Sequence, residues 1–107
     1  MVKIGVIGCG GMGTYHAKTI RGMEGVQLVG VADTIGAKAE ALAAELEVAA
    51  HTDFHDLLPQ ADGFMICTPP FARVDVVVDC ARAGKHIFVE KPIALDLGAA
   101  DQMLEAV

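Results

Sequence analysis

No apolar run in this sequence reaches the roughly 18 residues that a helix needs to cross a bilayer. Each is broken first by a charge or a glycine. The mean hydropathy of +0.47 therefore needs another source, and a sheet covered on both faces, with near-continuous apolar strands, supplies one. A basic, apolar, cleavable leader is not expected either, since a strand pattern starts at Val2. Basic residues are few: eight Lys and Arg against fourteen Asp and Glu leave a net charge of −6, and the eight are scattered. A nucleic-acid partner usually needs a basic face, so neither nucleic acid nor membrane is expected as a partner. Cysteine is sparse too. Cys9, Cys67 and Cys80 form an odd set without metal-ligand spacing, which argues against disulfides and for a cytoplasmic, reducing location. There is no internal repeat and no low-complexity segment, and 107 residues suit one domain with a modest core.

What is present begins with Lys3-Ile-Gly-Val-Ile-Gly-Cys-Gly-Gly-Met-Gly13, an apolar run flowing into a glycine-rich turn. A lone G-x-G-x-x-G is a weak signal. Here a strand pattern precedes it, a helical pattern follows, and the carboxylate of Asp33 stands 20 residues past Gly13. Gly8 allows the tight turn, Gly10 leaves the backbone bare to a phosphate, and Gly13 lets the helix pack closely on the sheet. The N–H groups around Gly11 and Met12 would then face a pyrophosphate, aided by the helix dipole. The expected cofactor-binding set from this turn is Gly8, Cys9, Gly10, Gly11, Met12 and Gly13.

Asp33 ends the second apolar run. Its carboxylate can accept hydrogen bonds from both ribose hydroxyls of an adenosine, and it would repel a 2′-phosphate. At about 4 Å and an effective dielectric near 20, that repulsion is roughly 4 kcal/mol per unit charge. Lys38 is the first cation that could offset it. NAD is therefore expected over NADP. The alternative reading of Asp33 is a helix N-cap.

The periodicity predicts strands at 3–7, 26–32, 48–50, 63–67 and 86–90. Helices are predicted at 11–22, with Ile20 and Met23 towards the core, and at 35–46, with a stripe of Ala39, Leu42, Ala43 and Leu46. A third helix follows Pro70, carries Val74, Val77, Val78 and Ala81, and ends at Gly84. A brief helix at 53–58 has Asp53 as its possible cap, and a last helix starts near Asp96 or Leu97. Strands alternating with helices mean an α/β fold of doubly wound Rossmann type, a parallel sheet of order 3-2-1-4-5 with helices on both faces.

A second motif, Glu90-Lys91-Pro92, follows the fifth strand, at the end where open α/β sheets bind ligands. A lysine there can donate to a sugar hydroxyl or stabilise negative charge developing on oxygen. The residues equally allow a surface ion pair before a strand-ending proline. The glycine turn, His16, Asp33, Cys67-Thr68-Pro69 and Gly84-Lys85-His86 leading into Glu90-Lys91-Pro92, about 80 residues after the turn, together resemble the cofactor domain of the Gfo/Idh/MocA oxidoreductases. That family includes glucose–fructose oxidoreductase and inositol dehydrogenase. The resemblance covers essentially the whole chain.

The resemblance implies hydride transfer between a nicotinamide ring and a hydroxyl-bearing carbon, most often on a sugar or cyclitol. It implies Lys91 as the catalytic residue of this half, with the Lys91–Pro92 bond commonly cis in the family. Thr68 and Pro69 would line the cofactor crevice, and Glu90 would orient Lys91 or touch the ribose. Two departures stand out. Pro70 and Arg73 occupy positions where the family often has asparagine and histidine, so an amide that could bond the cofactor is absent and a permanent cation replaces an imidazole. The family's substrate domain is not in this sequence, so residues 1–107 read as the cofactor half of a longer enzyme, inactive alone. The family's dimers usually use the other domain's sheet, and the resemblance allows a homo-oligomer. The rival is a non-catalytic NAD(H) sensor, which would have no need of Lys91.

Several residues are read as bystanders. His51 and His55, four apart beside Asp53 and Asp56, lack a third ligand for zinc. His16 is read as a packing or capping residue and His86 as structural. Cys9 lies where a helix N-terminus can favour thiolate, but is expected to serve as a small residue of the turn. Met12, Met23, Met65 and Met103 are expected in the core or lining a pocket.

Overall fold

The computed structural model describes residues 2–89. Its strands are β1 (Val2–Ile7), β2 (Val26–Ala32), β3 (Ala49–His51), β4 (Gly63–Ile66) and β5 (His86–Val89). All pair in parallel, in the order β3-β2-β1-β4-β5. This is the predicted doubly wound sheet. The helices are α1 (Gly11–Arg21), α2 (Gly36–Leu46) and α3 (Pro70–Arg82), and two 3₁₀ turns, Phe54–Asp56 and Leu58–Gln60, fill the crossover between β3 and β4. The third strand lies one residue later than predicted and the fourth ends one residue sooner. The brief helix at 53–58 is two 3₁₀ turns instead. Among the described residues no helix is long and apolar enough to cross a membrane.

The apolar strands make sense because both faces of the sheet are covered. On one face Ile4, Val6, Leu28 and Val31 pack with Ala17 and Ile20 of α1 and Ala39, Leu42 and Ala43 of α2. On the other, Ile7, Ala32, Phe64 and Ile66 pack with Leu57 and Ala61 of the irregular crossover and Val76, Val77 and Cys80 of α3. Strict alternation would put Leu28 and Val31 on opposite faces. They share one because the register of β1 and β2 shifts between Ile4↔Leu28 and Gly5↔Gly30, leaving Val29 over as a bulge.

The bulge has a packing reason. It sets Gly5 beside Gly30, and Leu57 fills the hollow above them. A methyl group on Gly5 would lie 2.9 Å from Leu57 Cδ2, and one on Gly30 2.8 Å from Leu57 Cδ1.

Helix ends follow local chemistry. Pro70 takes the first turn of α3, where a missing N–H costs nothing. Past its end Gly84 (φ +77°) donates to Ala81 O and Lys85 N–H to Cys80 O, the paired bonds of a Schellman stop. Ile20 is buried as predicted, but Met23 is half exposed: it lies beyond the C-cap Gly22, where the helical stripe has already ended.

Candidate functional site

The chain leaves β1 towards β2 on one side, and β4 flanks β1 on the other. The connections there diverge, and the crevice past the strand ends is where doubly wound sheets take ligands. A cavity of about 650 Å³ occupies that position. Gly8 and Gly10 line it from the turn, Asp33, Thr34, Ile35 and Lys38 from the β2–α2 side, Thr52, Asp53 and Phe54 from past β3, and Cys67, Thr68 and Pro69 from past β4. The rim is knitted by backbone bonds: Gly8 N–H to Ala32 O at 2.7 Å, Cys67 N–H to Ile7 O at 2.7 Å and Asp33 N–H to His51 O at 3.0 Å.

The glycines of the turn divide into two kinds. Gly8 has φ +99°, and a methyl group there would stand 2.7 Å from the Cys67 carbonyl carbon. On Gly13 it would stand 1.7 Å from Gly8 O, so α1 sits directly on the turn. These two are required by the fold. A methyl group on Gly10 or Gly11 would have nothing within 4 Å, so their backbone faces open space. Gly10 is the N-cap of α1, and among the described residues no side chain caps its first-turn N–H groups. Those donors are left for a ligand.

Asp33 reaches across to this turn. Its Oδ2 accepts the Cys9 N–H at 2.8 Å and its Oδ1 the Ile35 N–H at 2.8 Å. Each oxygen keeps acceptor capacity for a further donor. The N-cap of α2 is Ile35, with no side-chain cap bond, so the bond from Ile35 is an Asx turn ahead of the helix. The cap reading is thus replaced by a carboxylate pinned at the crevice. The donor set suits a dinucleotide: open glycine backbone and uncapped N–H groups for a diphosphate, a fixed acceptor for a sugar diol. On the same wall Thr68 Oγ1 is buried, with no hydrogen-bond partner among the described residues.

Cys9 is buried and its Sγ lies 3.5 Å from Ala32 O. Its thiol is pushed up to about 12, by burial first and then by Asp33 and Cys67. The helix terminus does not favour thiolate here, because desolvation and the neighbouring carboxylate outweigh it. Met12 is 51% exposed and outside the cavity lining, so it and Met23 contradict the expected core or pocket role. The first turn of α1 points its side chain out to solvent. Met65 packs against the α1 and α2 core. Arg73 is only 4% exposed, and its Nη2 donates to Thr68 O at 2.7 Å. It braces the Thr68 turn from behind and does not line the cavity.

The wall past β3 went unpredicted as part of the site. Thr52, Asp53 and Phe54 follow a parallel strand, and that position alone could have marked them. Asp53 does cap the first 3₁₀ turn, accepting His55 N–H at 2.9 Å. Among the described residues no group of three or more His, Cys, Asp or Glu could hold a metal ion. Glu90, Lys91, Pro92, the helix expected from Asp96 or Leu97, and Met103 lie outside the described residues.

Comparison with known proteins agrees with this geometry. A family model described as an oxidoreductase family with an NAD-binding Rossmann fold matches residues 2–107. The inositol 2-dehydrogenase of Rhizobium meliloti is 39% identical over 107 residues, 99% of this chain and 32% of that protein. The myo-inositol 2-dehydrogenase of Thermotoga maritima is 34% identical, over 97% of this chain and 32% of its own. Among solved structures, scyllo-inositol dehydrogenase from Lactobacillus casei with bound NAD(H) and scyllo-inositol superposes with a TM-score of 0.91 at 29% identity, covering 99% of this chain and 32% of that one. The UDP-N-acetylglucosamine 3-dehydrogenase of Acidithiobacillus ferrooxidans gives 0.91 at 35% identity, with 97% and 34% covered. The chain thus spans about a third of the length of the relatives it matches.

Proposed function

We propose a function from one premise: this chain belongs to the Gfo/Idh/MocA oxidoreductase family and is its NAD-binding Rossmann domain. On our reading the crevice holds NAD(H). The backbone of Gly8, Cys9, Gly10, Gly11, Met12 and Gly13 receives the diphosphate, and Asp33 takes the adenosine ribose hydroxyls. Thr68 and Pro69 flank the cofactor from the β4 side, with Thr68 Oγ1 offering a hydroxyl that has no other bond among the described residues. NAD, when bound, supplies the hydride acceptor or donor. Lys91 is assigned as the catalytic residue, stabilising charge on the substrate oxygen, with Glu90 orienting it.

The substrate is a hydroxyl-bearing carbon of a cyclitol or sugar, a reading supported by relatives named as inositol and UDP-sugar dehydrogenases. The same names favour an enzyme over a non-catalytic sensor. The relatives are about three times as long, so a substrate domain beyond these residues completes the active site, and the 107-residue chain alone should bind cofactor without turnover. Three thiols that form no disulfide suit a cytoplasmic setting.

The observation that carries the reading is the Asp33 carboxylate, fixed by the N–H groups of Cys9 and Ile35 beside the open backbone of Gly10. Fluorescence titration tests it. NADH should bind at least about tenfold tighter than NADPH, a gap of roughly 1.4 kcal/mol. That is less than full charge repulsion because Lys38 lines the same cavity. Asp33→Ser should close most of the gap. An unchanged ratio in the variant, or no binding of either nucleotide, would overturn the assignment.

A further inference from the structure

His55 sits outside the cavity but joins two elements that frame it. Its Nδ1 lies 2.6 Å from Asp53 Oδ1 and its Nε2 2.8 Å from Asp79 Oδ2 on α3. The ring also stacks on Phe54, with centroids 4.1 Å apart and planes inclined by 30°. Asp53 and Phe54 are wall residues of the crevice, and Asp79 is not. One imidazole therefore fastens the irregular β3–β4 crossover to α3 at the height of the site.

A neutral imidazole has one N–H and can donate to only one of the two carboxylates. Its other nitrogen would then face a carboxylate lone pair to lone pair. The imidazolium donates to both. We propose that His55 is a positioning residue of the crevice: as the cation it clamps Asp53 to Asp79, holds the Phe54 wall in place, and so strengthens dinucleotide binding at lower pH. The proposal rests on the reading of the crevice as the NAD(H) site.

The charged groups around the ring are acidic in the majority. The turn contributes Asp53 and Asp56. From α3 comes Asp79, with Asp75 and Arg82 on the neighbouring turns of that helix. The Asp79 and Asp53 bonds raise His55 above the ordinary imidazole value of 6.5, and the His55 bonds hold Asp53 below its usual range. The clamp is therefore complete below about pH 6.5, as long as Asp53 stays ionised, and is lost as pH rises through the raised value of His55. All three side chains are partly exposed, so salt should weaken the clamp.

The test is NADH affinity of the full 107-residue chain, by fluorescence, at about pH 6 and about pH 8.5. Wild type should lose roughly three- to tenfold in affinity between the two, through a smaller population of the competent wall. His55→Gln should bind with the weaker affinity at both. His55→Arg, cationic throughout, should bind at both with close to the tighter one. Asp79→Asn, which leaves every cavity residue in place, should move the transition to lower pH. A flat wild-type profile, or a slope that survives in His55→Gln, would overturn the clamp while leaving the cofactor assignment intact. Failure to bind NADH at any pH would overturn that assignment and this proposal with it.

Discussion

Gly10 and Gly13 are equivalent letters in the motif, yet a methyl group meets opposite surroundings at the two. On Gly13 it runs into the Gly8 carbonyl oxygen, a backbone atom that cannot swing aside; on Gly10 it meets nothing. Gly13→Ala should therefore destabilise the fold by about 1–3 kcal/mol, at the upper end of that range. Gly10→Ala should stay within about 1 kcal/mol of wild type, the cost of a poorer N-cap. Both should lose NADH affinity, the first through a displaced turn and the second because the methyl occupies the space a phosphate needs. Urea unfolding alongside NADH titration separates the two mechanisms. A Gly10→Ala chain that bound NADH like wild type would place the diphosphate elsewhere.

At the scale of elements, the crossover from β3 to β4 contributes more than its irregular shape suggests. Leu57 is fully buried, yet it belongs to no regular helix or strand. It is seated in a hollow made by two glycines on neighbouring strands, brought level by the bulge at Val29. Leu57→Ala removes that plug from a site where the glycines cannot fill in. The expected loss is about 2–5 kcal/mol, read from chemical denaturation. The same segment carries Asp53 and Phe54 into the crevice, so the variant should also weaken NADH binding. A loss below about 1 kcal/mol would mean that the hollow collapses around the missing side chain.

Across the whole molecule the parallel sheet separates interior from crevice, and the three thiols report that division. Cys9 and Cys80 are buried and both are pushed up to about 12, chiefly by desolvation. Cys67 is half-buried and lines the cavity. Thiolate is the reactive form, so a small maleimide should label Cys67 in the native chain well before the other two. Saturating NADH should slow that reaction, since the cofactor would cover the same wall. Peptide mapping of the labelled sites decides it, and modification of Cys9 first would contradict the burial that surrounds it.

The strand order, the places of α1, α2 and α3, and the glycine turn with Asp33 were all legible in the sequence. They depend on local signals: period-two and 3.6-residue apolar patterns, a proline at a helix start, a glycine at a helix stop. The bulge at Val29 left no mark in the sequence, because a bulge is set by what the neighbouring strand and Leu57 require. Met12 and Met23 misled because hydrophobicity gives no direction to a side chain at a helix end. The inward turn of Arg73 onto Thr68 and the bridge from Asp53 through His55 to Asp79, whose longer bond spans 24 positions, were not legible. Only packing fixes such distances. What the chain could build was written in short-range pattern, while which groups meet and which stay buried was settled when the sheet closed over its two cores.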